Sequence, residues 1–569
     1  MTQALRRWLA AADSLLAHLA PAARWRWTPA AVAAAAVLLA GAAAWNNSAT
    51  ADEPYHVLAA WVYAHDGHAD LNPEHPPLAK LLAGLALQPL GLRGPSGAPV
   101  ERLPDLSMEV RRFLYENTRE SQTILRVARL PGLGFLALLL AGTYLWGRFA
   151  WGRPVGLLAL VAVAGQPLAL GHAPIVHTDV PAAAAWVWSG FLLHRWLAGS
   201  RRGWVWAGVA MGAALAIKFS AVYLVLLAVF AVAWCAARAR SWRAVLELAG
   251  AGVVALAVLL ASIWPAVRQV APGEQVRVSE AFLGHWQGTE RARVWLARVA
   301  SWSVPAAQWG LGLAYVHFNN RTGQGVNFLC GRVSVQGFPH YFPVALALKT
   351  SAPFLLAALW GVGAALRRRD GPALALVGAV GFYLLISAGS NYNIGARHLL
   401  PVLPALTLLA GGALARLARA FHAVAALALA SSALLAFPHY IAHFSLFAAG
   451  RGPQCLTDSN LDWGQDWRRL CIRARAEGWS PMAYLYLGAA WPQGEGCAVD
   501  ATDPGGRERP RYVAVSRFAE TVGPDYLRVF GDVREAEILA RTLAYLHERG
   551  QLVGDVGGSI HVYRLPDTP

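Results

Sequence analysis

Asp52 and Glu53, in TADEPYHVLAAW, are adjacent carboxylates just beyond an apolar run with no formal charge from Thr28 to Trp45. A carboxylate within hydrogen-bond reach of a hydroxyl can take its proton. Asp179, in VHTDVPAAAAW, is a third acid at the edge of an apolar run. Lys218 (AIKFSAVYL), Lys349 (YFPVALALKTSAPFLL), Arg397 and His398 (SNYNIGARHLLPVLP) are bases in similar places. Lys and Arg in a low-dielectric site stabilise a leaving group that develops negative charge, such as a phosphate. Taken singly, each has an ordinary structural use. Asp179 can cap a helix start before Pro181, the lysines can snorkel, and Arg397 can anchor a helix end.

The stretch HADLNPEHPPLAKLLAGLAL adds His68, Asp70, Glu74, His75 and Lys80. Pro76 and Pro77 predict an extended approach, then a helix lying at a membrane surface with Lys80 near its start. Glu74 and His75 are possible metal ligands, but two ligands without a third are a weak metal signal. YVHFNNRTGQGVNFLCG, with Asn319 and Asn320, reads as a polar loop able to touch a sugar.

These residues need a membrane scaffold to bring them together. The chain has 569 residues, 56% hydrophobic and 14% charged, against roughly 25% charged in soluble proteins. Apolar runs predict eleven spans, at about 28–46, 130–148, 154–172, 177–195, 203–218, 219–237, 246–265, 342–366, 372–388, 397–415 and 421–445. Every second connection is short and Arg-rich, as at Arg148 and Arg153, Arg201 and Arg202, or Arg367 to Arg369. Such connections face the cytoplasm. The long connections 47–129 and 266–341 and the tail 446–569 then lie outside. Segment 1–27 reads as a cytoplasmic amphipathic segment, and the first span is expected to be retained rather than cleaved as a signal peptide.

Three domains follow: 1–27, a transmembrane domain 28–445, and an extracytoplasmic α/β domain 446–569 with strands such as RYVAVSRF and SIHVYRLP. On this topology Asp52, Glu53, Asp179, Lys218, Lys349 and Arg397 all meet one membrane face. Only fifteen residues separate Asp179 from Arg195, and fifteen separate Lys218 from Arg202. That is about 22 Å of helix against a core of about 30 Å, so the charged face is recessed.

The net charge of +16 points to anionic lipid or phosphate partners rather than nucleic acid. The five cysteines contain no CxxC pair, and a disulfide among Cys455, Cys471 and Cys497 fits an oxidising compartment. DSNLDWGQDWRRL places Asp458, Asp462 and Asp466 close after the last span, either at a helix start or over the site. It lacks the Gly and Glu positions of a calcium loop.

In order, the DE pair, HPPLAK, HTD, KFS, YFPVALALKT, NIGARHLLPVLP and DSNLDWGQDWRRL resemble the GT-C superfamily of polytopic membrane glycosyltransferases. They are most similar to the bacterial protein O-mannosyltransferase and lipid A aminoarabinose transferase group (family 39-like, phospholipid-carrier dependent), over about 28–470. The resemblance implies transfer of one sugar from a polyprenyl-phosphate carrier to a protein, lipid or glycan acceptor outside a bacterial inner membrane. It implies Asp52 as catalytic carboxylate, either base or orienter of the acceptor, with Glu53 and Asp179 as further catalytic acids. Lys80, Lys218, Arg397 and, more weakly, His75 would hold the carrier phosphate. Lys349, His398, Asn319 and Asn320 are candidate donor or acceptor contacts. No metal or other cofactor is expected. The competing class is a transporter or flippase of a lipid-linked substrate, which predicts midplane charges and repeated halves.

Overall fold

The computed structural model describes residues 27–96, 106–323, 325–492, 494–497 and 510–566. The segment expected to be amphipathic, 1–27, lies outside the described residues but for Trp27. The chain is mainly helical. Among the described residues, six helices are long and apolar enough to cross a membrane: Ser121–Trp151, Ala221–Ala239, Trp242–Val267, Gly371–Ala388, Ala396–Leu414 and Arg419–Ala436. Shorter apolar helices include Thr28–Ala44, Arg153–Ala164 and Gly203–Ile217.

Three expected spans are broken, each beside a proline. The third is Arg153–Ala164 then Pro167–His172, and the eighth is Tyr341–Lys349 then Ala352–Arg368. The tenth opens as a 3₁₀ turn, Ala396–Val402, before Leu403–Leu414. A proline lacks the N–H a continuing helix needs, and it disfavours helical backbone in the residue before it. Two of the breaks are stitched together: Gln166 Nε2 donates to Ser351 Oγ at 3.2 Å, and Ser351 N donates to Gln166 Oε1 at 3.2 Å. The eleventh helix, His422–Ala436, stops short of the expected residue 445 because Pro438 follows.

The first long connection is structured. It holds the helices Glu53–His65, Leu78–Leu87 and Leu106–Tyr115. Leu78–Leu87 was expected at a membrane surface. One face of it packs against Glu53–His65, with Ala79, Lys80, Leu81, Ala83, Gly84 and Leu87 buried, while Leu82 and Leu85 stay exposed. Gly84 permits this approach, since a Cβ there would lie 1.9 Å from the Ala60 carbonyl oxygen.

The second long connection carries helices Pro272–Leu283, Glu290–Ala300 and Val304–Thr322, then an antiparallel hairpin of β1 (Asn327–Leu329) and β2 (Arg332–Ser334). Cys330, at the hairpin turn, is bonded to Cys455. Cys471 is bonded to Cys497, within the trio expected to supply a disulfide.

The tail forms a small α/β unit. Its sheet runs β3 (Met482–Leu485), β4 (Tyr512–Ser516), β6 (Ile560–Arg564), β5 (Gln551–Val556), with β3 and β4 parallel and the other pairs antiparallel. Side chains alternate across a strand. Val513 and Val515 therefore pack with Leu539, Leu543 and Leu546 of helix Val533–Arg549, while Ala514 packs with Trp467 and Leu470 of helix Trp467–Glu477.

Candidate active site

Four chain turns deliver the charged residues to one place. Asp52 immediately precedes helix Glu53–His65, and Asp179 is the first residue of helix Asp179–Leu197. Lys218 ends helix Gly203–Ile217 in extended backbone, and Arg397 lies on the 3₁₀ turn Ala396–Val402. Helix ends suit the task because their backbone groups are free to turn out of the apolar ladder.

Asp179 is the hub. Lys218 Nζ hydrogen-bonds its Oδ1, its Oδ2 lies 2.8 Å from His177 Nδ1, and Arg397 Nη1 is 3.5 Å from Oδ2. Arg397 Nη1 also donates to His177 Nε2 at 2.8 Å. That nitrogen must therefore accept, so the imidazole proton is on Nδ1, facing Asp179. Arg397 Nη2 reaches Asp52 Oδ2 at 3.3 Å, its Nε donates to Ser459 Oγ at 3.1 Å, and its guanidinium lies 4.1 Å over the Trp463 ring. Charges taken out of water persist only when paired and hydrogen-bonded. Asp179 and Arg397 are each 2% exposed and ion-paired, whereas the Asp52 side chain is 44% exposed.

The three acids expected to act in catalysis thus have different surroundings. The Glu53 carboxylate accepts from Arg129 Nε at 2.8 Å, Arg129 Nη2 at 2.7 Å, Val176 N at 3.0 Å and Thr50 N at 3.2 Å. With both oxygens occupied and the side chain fully buried, it braces the loop bearing Asp52 and has no face for a substrate. Asp179 is buried under its cations in the same way. Asp52 is the one of the three with an open oxygen face.

The expected phosphate ligands divide too. Lys218 and Arg397 join the cluster. Lys80 Nζ donates to Asn72 O and Asn72 Oδ1, both at 2.7 Å, and lies 5.2 Å from the Tyr63 ring. His75 joins His56 and His177, with ring centroids 5.9 Å from His56 and 5.3 Å from His177. Glu74, on the same turn, is pushed up from the usual carboxylate range by burial and by Asp52, against the pull of Lys80 and Arg397.

His56, His75 and His177 offer ligand atoms within 4.8 Å of one another. Three imidazoles are a legitimate divalent-ion set. His177 Nε2 already accepts from Arg397, however, and its Nδ1 lies 2.8 Å from Asp179 Oδ2. An ion bound by all three would have to displace one of them.

Three of the other expected contacts, Lys349, Asn319 and Asn320, have structural partners. Lys349 Nζ donates to the carbonyls of Ile441 at 2.8 Å, Asn460 at 2.5 Å and His443, which uses all three ammonium protons. It staples the segment after the last helix rather than facing a ligand. Asn319 Nδ2 donates to Tyr392 Oη at 2.6 Å, and Asn320 Oδ1 accepts from Asn391 N at 3.0 Å. These two tie helix Val304–Thr322 to the turn before Arg397. His398 differs: its carbonyl accepts from Tyr383 Oη at 2.7 Å, but its buried Nε2 has no hydrogen-bond partner among the described residues.

Sequence reasoning passed over His56, His177 and Trp463 as site residues. Their signal was faint: His177 is two residues before Asp179, and the tail segment bearing Trp463 adjoins the last span. That segment is built into the site wall. Trp463 O accepts from Ala51 N at 2.8 Å, Gln465 O accepts from Ser48 N at 2.9 Å, and Arg468 N donates to Ser48 Oγ at 2.7 Å.

Residues 123–264, which hold Arg129, Asp179 and Lys218, match the family model described as dolichyl-phosphate-mannose-protein mannosyltransferase. No curated protein matches the chain. Among solved structures, ArnT from Cupriavidus metallidurans bound to undecaprenyl phosphate is 15% identical over 94% of this chain and 97% of that one, with a TM-score of 0.47. The archaeal oligosaccharyltransferase AglB from Archaeoglobus fulgidus, in complex with an inhibitory peptide and a dolichol-phosphate, is 14% identical over 96% of this chain and 75% of that one, with a TM-score of 0.46. Across residues 123–264 the chain is therefore similar to the dolichyl-phosphate-mannose-protein mannosyltransferases, the group of membrane glycosyltransferases that its own motifs resemble.

Proposed function

We propose that this chain is a membrane glycosyltransferase that moves a single sugar from a polyprenyl-phosphate carrier to an acceptor on the extracytoplasmic side of a bacterial inner membrane. The observation that carries the reading is the pairing of one half-exposed carboxylate, Asp52, with a buried cationic centre, Arg397 at 3.3 Å. Asp52 meets the acceptor hydroxyl. Lys218 and Arg397, with His75 and with Lys80 at the start of helix Leu78–Leu87, supply fixed positive charge beside the cleft that offsets the negative charge building on the carrier phosphate. No metal is called on, because fixed guanidinium and ammonium groups supply the positive charge.

Two features support the outward orientation. The short connections are Arg-rich, and both disulfides lie in the segments that meet the site face, as suits an oxidising compartment. The test is purified full-length protein in lipid nanodiscs with polyprenyl-phosphate mannose, a pentose counterpart and an aminosugar counterpart, each with an envelope extract as acceptor. One of the three donors is consumed with sugar recovered on an acceptor, and Asp52→Asn abolishes this. Wild-type transfer rates in Asp52→Asn would overturn the assignment.

A further inference from the structure

The segment DSNLDWGQDW carries three acids, and two serve the fold. Asp462 Oδ1 accepts from Gly464 N at 3.1 Å and its Oδ2 from Phe518 N at 3.0 Å, which fastens the tail helix Arg517–Val529. Asp466 Oδ2 accepts from Ser559 Oγ at 2.8 Å, and its Oδ1 pairs with Arg469 at 2.5 Å.

Asp458 is different. Its backbone is left-handed, with φ 57°, a region that non-glycine residues seldom enter and that tends to mark functional turns. The turn is held by its own carbonyl, which accepts from Leu461 N at 2.8 Å and Asp462 N at 3.0 Å. Oδ1 accepts from Ser459 N at 2.5 Å, and among the described residues no donor reaches Oδ2. The residue as a whole is partly exposed, while its carboxyl lies among buried groups.

The next residue pins this turn to the site centre. Ser459 Oγ accepts from Arg397 Nε at 3.1 Å and donates to Ile394 O at 2.7 Å. Asn460 Oδ1 accepts from Ala396 N at 2.8 Å. Arg397 therefore meets Ser459 through Nε and Asp52 through Nη2, so the Asp458 turn and Asp52 are held by one guanidinium.

We propose that Asp458 is a second catalytic carboxyl of this site, taking the acceptor's proton while Asp52, held by Arg397, orients the hydroxyl. The inference rests on the glycosyltransferase reading and extends it. In the step, the acceptor O–H proton passes to Asp458 Oδ2 as the acceptor oxygen bonds to the sugar's anomeric carbon. The bond from that carbon to the carrier phosphate breaks, and its electron pair leaves on the phosphate. The polyprenyl phosphate departs one charge more negative beside the cations, and Asp458 later releases its proton to water.

The surroundings suit a base that works near neutrality. Burial, Asp52 and Asp462 push the Asp458 carboxyl up to about 7, against the pull of Arg397 and the Ser459 N–H. Burial raises the Tyr526 phenol, and Asp458 adds to that rise.

The experiment compares full-length wild type, Asp458→Asn, Asp458→Gly and Asp458→Glu in the nanodisc assay, with whichever of the three carrier-linked sugars the wild type consumes. Asn and Gly both tolerate the left-handed backbone, so neither change strains the turn. The expected result is a loss of about 100-fold or more in kcat for both, with partial recovery in Asp458→Glu. The wild-type rate falls below pH about 7, and this acidic limb disappears in Asp458→Asn. Wild-type kcat with an unmoved acidic limb in Asp458→Asn overturns the role of Asp458 alone. No sugar transfer by the wild type overturns the glycosyltransferase reading and this role with it.

Discussion

Glu53 and Arg129 form a two-pronged ion pair at 2.8 and 2.7 Å, with the Glu53 side chain fully buried and that of Arg129 4% exposed. Arg129 also donates to the carbonyls of Ser48 at 2.8 Å and Asn47 at 3.1 Å. The pair thus clamps the end of the first helix to the long helix Ser121–Trp151 and fixes where the chain turns into Asp52. Adjacent acids in one motif do two jobs, one bracing and one facing the cleft.

Breaking a buried pair by removing one partner costs about 3–5 kcal/mol, because the other charge is left unpaired. Glu53→Gln and Arg129→Met are therefore expected to lower the thermal unfolding midpoint of the detergent-solubilised protein or to cut its yield. Asp52→Asn should leave the midpoint near the wild-type value while abolishing transfer. A large loss of stability in Asp52→Asn, with none in Glu53→Gln, would reverse the two assignments.

How much of this was legible beforehand follows from what kind of signal each residue carries. Placing Asp52, Asp179, Lys218 and Arg397 on one face needed only hydropathy and the arginine pattern, which are properties of single positions. The fate of Glu53 depended on Arg129, 76 residues away, and nothing local to the DE motif announces that partner. Lys349 misled for a similar reason. Its three carbonyl acceptors exist only because Pro438 ends the last helix early and turns residues 441–460 back toward the site. The broken spans were readable in principle, since Pro167, Pro353 and Pro401 lie in the runs themselves. The tail's part in the site was only half readable. Asp458, Asp462 and Asp466 look equivalent in sequence and differ only in what the folded tail supplies to each.

Arg397 offers a second test. Its guanidinium reaches His177, Asp179, Asp52 and Ser459 at once and stacks on Trp463. A lysine ammonium has neither the planar fork nor the stacking face. Arg397→Lys is expected to keep the charge and still lose about 100-fold or more in kcat/KM, by analogy with the removal of a single transition-state donor. Retention of most activity in Arg397→Lys would mean that charge alone is needed there.

The three histidines make metal dependence measurable. With Nε2 of His177 accepting from Arg397 and Nδ1 facing Asp179, the purified protein is expected to carry well under one equivalent of divalent metal. Transfer should be unchanged after dialysis against a chelator. One equivalent of metal that disappears in His56→Ala, together with chelator-sensitive transfer, would put an ion among the imidazoles and make Arg397 a group that gives way to it.

The topology has a simple chemical readout. Cys330 pairs with Cys455 and Cys471 with Cys497, which leaves Cys235 as the free and exposed thiol. It lies near the end of helix Ala221–Ala239, four residues before that end and next to the arginine-rich turn with Arg238, Arg240 and Arg243. If that turn faces the cytoplasm, as arginine-rich connections do, a membrane-impermeant maleimide added to intact spheroplasts should leave the protein unlabelled. Inverted membrane vesicles should take up one label per chain. Adding a reductant to spheroplasts should then open Cys330, the exposed member of the disulfide cysteines, to the same reagent. Labelling of Cys235 in intact spheroplasts would invert the topology and move Asp52, Arg397 and the tail to the cytoplasmic side.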